Sequence, residues 1–390
     1  MARTKPSNAR LGHYIVTAAG GEQVRAFVPP PLPPNPPLQI EGLYGLLEEA
    51  NRALGRLDGV TSILPDTPLF LYMYVRKEAL LSSQIEGTQS SLSDLLLFES
   101  DEVPGVPPDD VQEVSNYVAA MTTGLERMRG FPLSLRLIKE IHDVLLAKGR
   151  GRTKQPGEFR RSQNWIGGTR PGNALYVPPP PNLVLKLMGD LEKFIHAPEA
   201  RLPLLIKAAL IHVQFETIHP FLDGNGRLGR LLITFLLCAE GALKEPILYL
   251  SLFFKRNRGQ YYALLQRVRE HGDWEAWLEF FLNGVKETSE QAAQATRQII
   301  ALFETDRWKI EQLGRPAASA SRVHQYLQSR PMLSVPVAAK ALKLSAPTVR
   351  KSISHLVDLE ILREPKARLR GRVFVYGGYI DMLNQGTEPI

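Results

Sequence analysis

The sequence HPFLDGNGRLGR, residues 219–230, separates two apolar segments of the chain. It concentrates a histidine, a carboxylate, two glycines and two arginines where a structural helix or strand would show apolar periodicity. The preceding LPLLIKAALIHVQFETI predicts a buried helix that ends before Pro220, and GRLGRLLITFLL predicts a second helix that begins near Asn225. The residues between them are therefore predicted to form a loop held at both ends by buried helices.

The residue types of this loop favour a polyphosphate ligand. The first amides of the second helix point at the loop, and Gly224 and Gly226 allow its backbone to approach an anion closely. Arg227 and Arg230 lie three residues apart on one helix face, and a pair of guanidinium groups suits more than one phosphate. A lone carboxylate beside phosphates, here Asp223, is a typical ligand of Mg²⁺.

His219 supplies the side chain that exchanges protons most readily near neutral pH, which suits a base that accepts a proton from a hydroxyl. Phe221 is the apolar residue of the loop and is predicted to anchor it to the core. Each residue alone has a structural explanation, as a capping histidine, an Asn-Gly turn or a solvated arginine. Their coincidence in one short window favours the functional interpretation.

Composition indicates a globular chain of two or three domains, because 390 residues exceed the usual size of one core. Apolar runs such as LLITFLLCA are too short to span a membrane and the first residues lack a signal core, so a cytoplasmic protein without membrane partners is expected. The single cysteine, Cys238, excludes an internal disulfide and is predicted to be a core residue. A net charge of +7 is compatible with anionic partners.

Periodicity predicts a mainly α-helical chain in four regions. Residues 1–40 end in PPPLPPNPPLQ and are predicted to be an extended lead-in strapped over the next domain. Residues 41–110 form an N-terminal helical region, residues 111–313 a helical core, and residues 314–390 a small domain behind the linker GRPAAS. Within the core, TRPGNALYV predicts a β-hairpin that turns at residues 171–173.

The last region predicts two helices, a turn, a third helix and a two-stranded ribbon, which is the order of a winged helix-turn-helix. Its third helix and its ribbon are rich in Lys and Arg, which suits contact with DNA. The candidate DNA contacts are Ser345, Thr348, Arg350, Lys351, Arg370 and Arg372. Such modules also dock proteins or dimerise, and that alternative stays open.

HPFLDGNGRLGR matches every specified position of the HPFxDGNGRxxR signature, so the chain resembles the Fic family. RGRTKQPGEFRRSQNWIGG with LYVPPPP resembles the segment that leads into the family's substrate flap, and FFKRNRGQYYALL resembles its later nucleotide-side helix. With the N-terminal helices and the winged helix, which are familiar among bacterial members, the resemblance covers nearly the whole chain. It implies a helical core with a short β-hairpin flap, whose members transfer AMP from ATP to a hydroxyl of a target protein and release pyrophosphate.

Carried over by position, the resemblance makes His219 the general base on a target Ser, Thr or Tyr and Asp223 the Mg²⁺ ligand. Arg227 would bind the middle of the triphosphate, and Arg230 its γ-phosphate. The other ATP-binding positions of the resemblance are Phe221, Gly224, Asn225, Gly226, Asn257, Tyr261 and Tyr262. The flap positions, which would pair with the target by strand addition, are Gly168, Thr169, Leu175, Tyr176 and Val177.

SSQIEG, residues 82–87, resembles the family's inhibitory motif, with Ser82, Glu86 and Gly87 at the end of a helical segment. Gly87 also fits an ordinary helix C-cap. By resemblance, Glu86 would pair with Arg230 in the place of the γ-phosphate, and a buried pair of this kind resists disruption because its separation strands a charge. Low basal activity is therefore expected. In some relatives the same glutamate helps to remove AMP, so the reverse reaction is a further implication.

Two classes of function follow from these motifs. The first is an autoinhibited protein adenylyltransferase, and the second is a DNA-binding regulator whose Fic core senses a nucleotide. An intact His219 favours the first class, because a sensor needs no base. Transfer of a different phosphate-containing group is disfavoured by the complete glycine and arginine pattern. Because relatives are often dimers, the resemblance also implies a homodimer.

Overall fold

The computed structural model describes residues 10–61, 67–99, 108–197, 202–364 and 373–389 of the 390-residue chain. This part is mainly α-helical, as the sequence predicts. Its helices are α1 (Tyr44–Thr61), α2 (Thr67–Ile85), α3 (Leu92–Glu99), α4 (Pro108–Met128), α5 (Leu135–Leu145), α6 (Pro181–His196), α7 (Leu204–Ile218), α8 (Asn225–Ala239), α9 (Ser251–Arg256), α10 (Arg258–His271), α11 (Trp274–Glu311), α12 (Ala317–Ser329), α13 (Val335–Leu342), α14 (Ala346–Asp358) and α15 (Gly377–Asn384). Its strands are β1 (His13–Ala19), β2 (Glu22–Val28), β3 (Met332–Ser334), β4 (Leu362–Arg363) and β5 (Val373–Tyr376).

The chain divides into two compact units. The first comprises Met1–Gly55, Asn116–Lys244 and Phe253–Glu287, and the second Arg56–Ser115, Glu245–Leu252 and Thr288–Ile390. None of the helices in the described residues is long and apolar enough to cross a membrane. The four domain boundaries expected from composition stay predictions.

The N-terminal residues of the first unit form a β-hairpin that the sequence analysis does not predict. β1 and β2 pair antiparallel from His13 opposite Val28 to Ala19 opposite Glu22. The prediction of an extended lead-in therefore applies only to the proline-rich tract that follows. That tract is strapped to the helical core, because the Gln214 side chain of α7 donates to the Pro30 carbonyl at 2.9 Å.

The core of the first unit is built around α7 and α8, whose residues are almost all buried. The two helices approach closely at Gly229, where a Cβ would lie 2.6 Å from the Glu216 carboxylate. Trp277 of α11 is completely buried and donates its indole N–H to the Ala209 carbonyl at 3.0 Å. Cys238, expected in the core, is only half-buried near the end of α8. The helix pair gives the loop between α7 and α8 two rigid ends.

The second unit contains α2, α3 and the C-terminal elements. Its sheet has the order β3-β5-β4, with both pairs antiparallel. The sequence predicts only a two-stranded ribbon, because β3 is three residues long and lies directly before α13. The C-terminal helix α15 is also absent from the sequence prediction. Three buried side chains join α11 to this region, since Tyr376 donates to Asp306 at 2.7 Å and lies 3.1 Å from His324 Nε2.

Candidate functional site

His219 closes α7 in the left-handed backbone conformation. Its φ is 50° and its ψ is 60°, and its N–H donates to the Phe215 carbonyl at 2.9 Å. This conformation costs a non-glycine residue about 1–2 kcal/mol, and residues held in it cluster at functional sites. The half-buried His219 side chain therefore lies at the end of a rigid helix, in a backbone conformation that its surroundings must maintain.

Arg160 maintains the backbone of His219. The Arg160 side chain is 2% exposed, and it donates to the carbonyls of His219 and Pro179 at 2.9 and 2.6 Å. Its own N–H donates to the Pro220 carbonyl at 2.9 Å. Burial lowers the pKa of Arg160 to about 10, which leaves it cationic at neutral pH. No local sequence pattern marks Arg160, because the His219 carbonyl that it binds lies 59 residues away.

His142 of α5 supports the other half of the loop. Gly157 N–H donates to His142 Nδ1 at 2.9 Å, so the proton of the neutral ring is on Nε2, which donates to the Asp223 carbonyl at 3.0 Å. Burial lowers the pKa of His142 to about 4, which keeps the ring neutral at physiological pH. The ring stacks on Phe221 with 3.7 Å between centroids. No local pattern marks His142, because its partners lie far away in the sequence.

Phe221 and Asn225 brace the loop from inside. Phe221 is completely buried, so its side chain anchors the loop as predicted. The Asn225 side chain accepts the Phe221 N–H and donates to the Phe221 carbonyl, both at 2.9 Å. Two of the positions grouped with ATP binding therefore fix the loop through their side chains. Only the backbone of Asn225, at the start of α8, is left to face an anion.

Asp223 and the first turn of α8 form the polar rim of the loop. The Asp223 side chain is 40% exposed, accepts the Gly224 N–H at 2.6 Å and lies 3.6 Å from the Arg227 guanidinium. Gly224 has a φ of 77°, which favours glycine. At Gly151 a Cβ would lie 3.2 Å from the Asp223 carboxylate, so a glycine keeps the space beside this carboxylate open.

Arg227 and Arg230 are both on α8 and only 4% and 2% exposed. Two guanidinium groups are therefore concentrated at the buried N-terminal half of one helix, next to the half-exposed Asp223. Gly226 lies in the first turn of the same helix. The arrangement provides positive charge and backbone N–H groups beside His219, which is what a bound polyphosphate requires.

Tyr261 is held in the core of the first unit. It is 1% exposed, and its hydroxyl lies 2.9 Å from Nε2 of His212. The Gly229 carbonyl lies 3.0 Å from His212 Nδ1 and can only accept, so Tyr261 donates to Nε2. Burial lowers the pKa of His212 to about 3. The hydroxyl of Tyr261 therefore joins α10 to α7, and its ATP contact stays a prediction.

Asn257 and Tyr262 flank Tyr261 and differ from each other. The Asn257 side chain donates to the Phe253 carbonyl at 3.0 Å, and Asn257 is the N-cap of α10. Tyr262 is 42% exposed, and the Arg258 guanidinium lies 5.7 Å from its ring centroid. Of the three predicted nucleotide-side residues, Tyr262 alone presents a large accessible ring.

The predicted β-hairpin of the flap is a single antiparallel bridge. Ile166 and Tyr176 exchange two backbone hydrogen bonds of 2.8 and 3.1 Å, and residues 171–173 form one 3₁₀ turn. Asn173 Oδ1 accepts the Thr169 N–H at 3.0 Å. Such side-chain bonds compete with ladder pairing, which explains why the structure has a bridge in place of two strands.

The predicted flap residues divide into an anchored and an exposed group. Tyr176 donates its hydroxyl to the Thr217 carbonyl at 2.7 Å, and Val177 accepts the Phe27 N–H of β2 at 2.9 Å. Leu175 is 79% exposed. Gly168 and Thr169 are exposed as well.

The N-terminal hairpin supports the flap at its turn. The Glu22 carboxylate accepts Arg170 Nη1 at 2.7 Å and the Gly172 N–H at 2.8 Å. A Cβ at Gly172 would lie 2.2 Å from the same carboxylate, so this contact requires glycine. The contact of Glu22 with the flap is not predicted from the sequence, because no secondary structure is predicted for residues 13–28.

The inhibitory motif lies in the second unit, at the end of α2. Ser82 is completely buried. Gly87 has a φ of 100° and donates its N–H to the Gln84 carbonyl at 3.0 Å, as an ordinary helix C-cap does. Glu86 is exposed, and its ion pair with Arg230 stays a prediction.

The candidate DNA contacts in the second unit have two different environments. Ser345 is the N-cap of α14, and its hydroxyl lies 2.8 Å from Thr348 Oγ1 and accepts the Thr348 N–H. These two predicted base readers therefore form a helix cap. Arg350 and Lys351 are exposed on α14. The predicted contacts Arg370 and Arg372 lie outside the described residues.

Two family models match successive parts of the chain. Residues 132–237 match the Fic/DOC family, and residues 44–126 match the Fic/DOC family N-terminal model. These two segments of the chain are therefore similar to the Fic/DOC family and to its N-terminal region. The Fic match includes α5 to α7, the loop that follows and most of α8. His142 and Arg160, which the sequence analysis missed, both lie within it.

The Fic domain is similar to curated relatives from insects. The protein adenylyltransferase Fic of Aedes aegypti is 33% identical over 221 residues, which cover 55% of this chain and 41% of that relative. The protein of the same name from Culex quinquefasciatus is 31% identical over 221 residues, with coverage of 55% and 41%. The chain therefore spans 41% of the length of these two relatives.

Solved structures support the fold. The crystal structure of a Fic family protein from Desulfovibrio desulfuricans G20 has a TM-score of 0.57 and 22% identity, and the match covers 90% of this chain and 99% of that one. A Fic domain containing signaling protein from Bacteroides thetaiotaomicron has a TM-score of 0.52 and 18% identity, covering 64% of this chain and 98% of that one. The mainly helical Fic fold predicted from the sequence is confirmed.

Proposed function

We propose that the chain is a protein adenylyltransferase that transfers AMP from ATP to a Ser, Thr or Tyr hydroxyl of a target protein. The observation that carries the proposal is the loop after α7, where His219 lies beside a helix N-terminus and two buried arginines, Arg227 and Arg230. Relatives that bear the name protein adenylyltransferase support the same assignment.

The proposed reaction is an in-line displacement at the α-phosphorus of ATP. The target oxygen forms a bond to this phosphorus, the bond to the bridging oxygen of the β-phosphate breaks, and pyrophosphate leaves. His219 accepts the proton of the attacking hydroxyl. The loop contributes mainly position and positive charge, because Arg227 and Arg230 neutralise the phosphates and Arg160 holds the His219 backbone. Accessible Tyr262 is the proposed contact for the base of the nucleotide.

The donor set at Asp223 fits Mg²⁺. It is one half-exposed carboxylate, and Mg²⁺ takes one or two carboxylates together with phosphate oxygens and water. The described residues contain no group of three or more His, Cys, Asp or Glu side chains that could hold a metal by themselves. Asp223 would therefore hold the ion together with ATP, where the ion neutralises phosphate charge.

Autoinhibition by Glu86 is part of the proposal. Glu86 would compete with the γ-phosphate for Arg230, so that ATP binds in an unproductive position. Because Glu86 is exposed, breaking its interaction costs little, and the inhibited state is expected to be easily relieved. Removal of AMP from modified targets, cytoplasmic location and a homodimer stay predictions.

A DNA contact through the C-terminal elements is a second proposal. α13, α14 and the strands β4 and β5 follow the order of a winged helix-turn-helix, and exposed Arg350 and Lys351 lie on α14. Binding of duplex DNA that weakens as salt rises, and that weakens further in Arg350→Ala, would support it. If no such binding is measured, the alternative of a DNA-binding regulator is excluded.

Transfer from ATP labelled in its α-phosphate tests the main proposal. Glu86→Gly is expected to raise labelling of the chain itself or of proteins in a lysate, and His219→Ala in the Glu86→Gly background is expected to abolish it. ATP labelled in its γ-phosphate is the control, because adenylyl transfer leaves that label in pyrophosphate. Retention of the γ-label would indicate phosphoryl transfer. Absence of His219-dependent α-labelling would leave the nucleotide-sensing regulator as the better assignment.

A further inference from the structure

A cavity of about 520 Å³ lies in the second unit, among α3, α12, α13 and the sheet edge of β3 and β5. This volume is within the range of small-molecule sites, which is roughly 300–1,000 Å³. The cavity shares no residue with the Fic domain, and the adenylyltransferase proposal does not use it. Its walls combine apolar side chains with two cations.

The cations of the cavity are Arg330 and Lys340. Both are exposed, and neither side chain forms an ion pair with the residues that the structure describes. The acidic residue in the lining is Glu99, and the Arg76 guanidinium binds it twice, at 2.8 and 2.9 Å. Tyr72 donates its hydroxyl to the same carboxylate at 2.6 Å. Because Glu99 is already neutralised, the lining as described carries an excess of positive charge.

The start of α13 adds donors to the lining. Ser334 is the N-cap of α13, yet its hydroxyl does not cap the helix and makes no hydrogen bond to the described residues. Ser334 is only 8% exposed and lines the cavity. Its hydroxyl can therefore donate to a ligand in the cavity. The backbone N–H of Val337, in the first turn, belongs to the same helix end.

The other side chains of the lining are mostly apolar. Met332 and Val373 come from neighbouring strands, and Val337 and Ala341 lie one turn apart on α13. A ligand that satisfies both the cations and the apolar side chains has a negative group and an apolar body. We propose that this cavity binds a small organic anion, with its charged group at the exposed cations Arg330 and Lys340 and its apolar body against Met332 and Val337.

Phenylacetate and its neutral counterpart 2-phenylethanol are suitable probes, because they share an aromatic body and differ in charge. Binding is measured on the full chain through the isotope-labelled methyl groups of methionine, one of which, Met332, lines the cavity. Met332→Leu assigns that resonance. Phenylacetate is expected to shift the Met332 resonance with millimolar affinity, and 2-phenylethanol is expected to bind about tenfold more weakly.

Charge-reversal variants locate the anion. Arg330→Glu and Lys340→Glu are each expected to weaken phenylacetate binding about tenfold. Arg297→Glu is the matched control, because it reverses an exposed cation of the same unit outside the cavity and should leave binding unchanged. Equal affinity for the acid and the alcohol, an equal loss in Arg297→Glu, or no shift of Met332 would each overturn the proposal. None of these measurements depends on adenylyl transfer, so the two proposals fail independently.

Discussion

The loop after α7 and the turn after α2 carry the two motifs of the chain, and they are held in different ways. Buried side chains from elements distant in sequence fix the loop, since Arg160 binds the His219 carbonyl at 2.9 Å and His142 stacks on Phe221. The base of the turn is also anchored, because the buried Gln84 side chain donates to the Thr387 carbonyl at 2.8 Å. Its tip is different, since Glu86 and Gly87 are exposed and no atom lies within 4 Å of a Cβ placed at Gly87. The loop is therefore constrained along its length, whereas the tip of the turn can change at smaller cost.

This difference matches the two proposed roles. A group that accepts a proton in an in-line transfer must be held within a fraction of an ångström, which rigid long-range support provides. An inhibitory group must be able to leave, and Glu86 lies at the exposed tip of its turn. Substitutions that remove long-range support should therefore have large effects on the loop, and substitutions in the turn should have small effects on stability.

The largest effect is expected for Arg160→Met. The variant keeps an apolar stem but leaves the carbonyls of His219 and Pro179 without their donor, at a cost of about 1–3 kcal/mol for each buried group. Urea denaturation should therefore show a loss of about 3 kcal/mol or more, with loss of adenylyl transfer. Arg161→Met is the control, because Arg161 is the exposed neighbour. If Arg160→Met were as stable and as active as Arg161→Met, Arg160 would not be needed to hold the backbone of His219.

The next effect is a loss of stability in acid that depends on His142. Burial lowers the pKa of His142 from 6.5 to about 4, so the unfolded chain binds more protons between these values. The stabilisation is complete above pH 6.5 and is lost as the pH falls toward 4. At pH 5 the loss amounts to about 2 kcal/mol.

His142→Gln removes this titration, so its free energy of unfolding should depend less on pH than that of the wild type. His271→Gln is the control, because His271 is exposed. Equal slopes of stability against pH in wild type and His142→Gln, between pH 7 and pH 5, would show that His142 is not held neutral in the fold.

These two residues show what sequence can and cannot predict here. Helix ends and the loop position are marked by local signals, such as Pro220 and Gly224, and these were predicted. Arg160 and His142 act through partners 59 and 81 residues away, and no spacing rule connects them. Their roles follow only from the folded structure.

Other contacts escape sequence prediction for the same reason. The hydroxyl of Tyr261 binds His212 of α7, 49 residues away, and no local pattern indicates this contact. The predicted strands of the flap do not form, because Asn173 Oδ1 accepts the Thr169 N–H within the turn. The hairpin β1–β2 is not predicted, because residues 1–40 are assigned as one extended segment from the proline tract that follows the hairpin.

A smaller effect is expected when the glycines of the two motifs are exchanged for alanine. Gly224 and Gly87 have φ values of 77° and 100°, so each alanine is strained. At Gly224 the new Cβ meets Leu146 and His142 at 3.4 and 3.5 Å, which is ordinary contact, so the cost is backbone strain of about 1–2 kcal/mol. At Gly87 nothing lies within 4 Å, and the turn can adjust.

Urea denaturation of Gly224→Ala and Gly87→Ala therefore compares the stiffness of the two segments. We expect Gly224→Ala to lose more free energy of unfolding and to reduce transfer. We expect Gly87→Ala to lose less and to keep its activity or raise it. A larger loss for Gly87→Ala would show that the turn is as tightly constrained as the loop.

The smallest effect on stability is expected for Glu86→Gln. The side chain is exposed and its shape is preserved, so the free energy of unfolding should change by less than about 0.5 kcal/mol. Adenylyl transfer should nevertheless rise, because the amide cannot compete with the γ-phosphate for a guanidinium as a carboxylate does. Glu99→Gln is the contrasting variant, since the 18% exposed Glu99 carboxylate is bound by Arg76, and it should lose stability without a comparable rise in transfer. A rise in Glu86→Gln that tracks a loss of stability would indicate loosening of the unit, whereas a rise at constant stability assigns the effect to the charge of Glu86 itself.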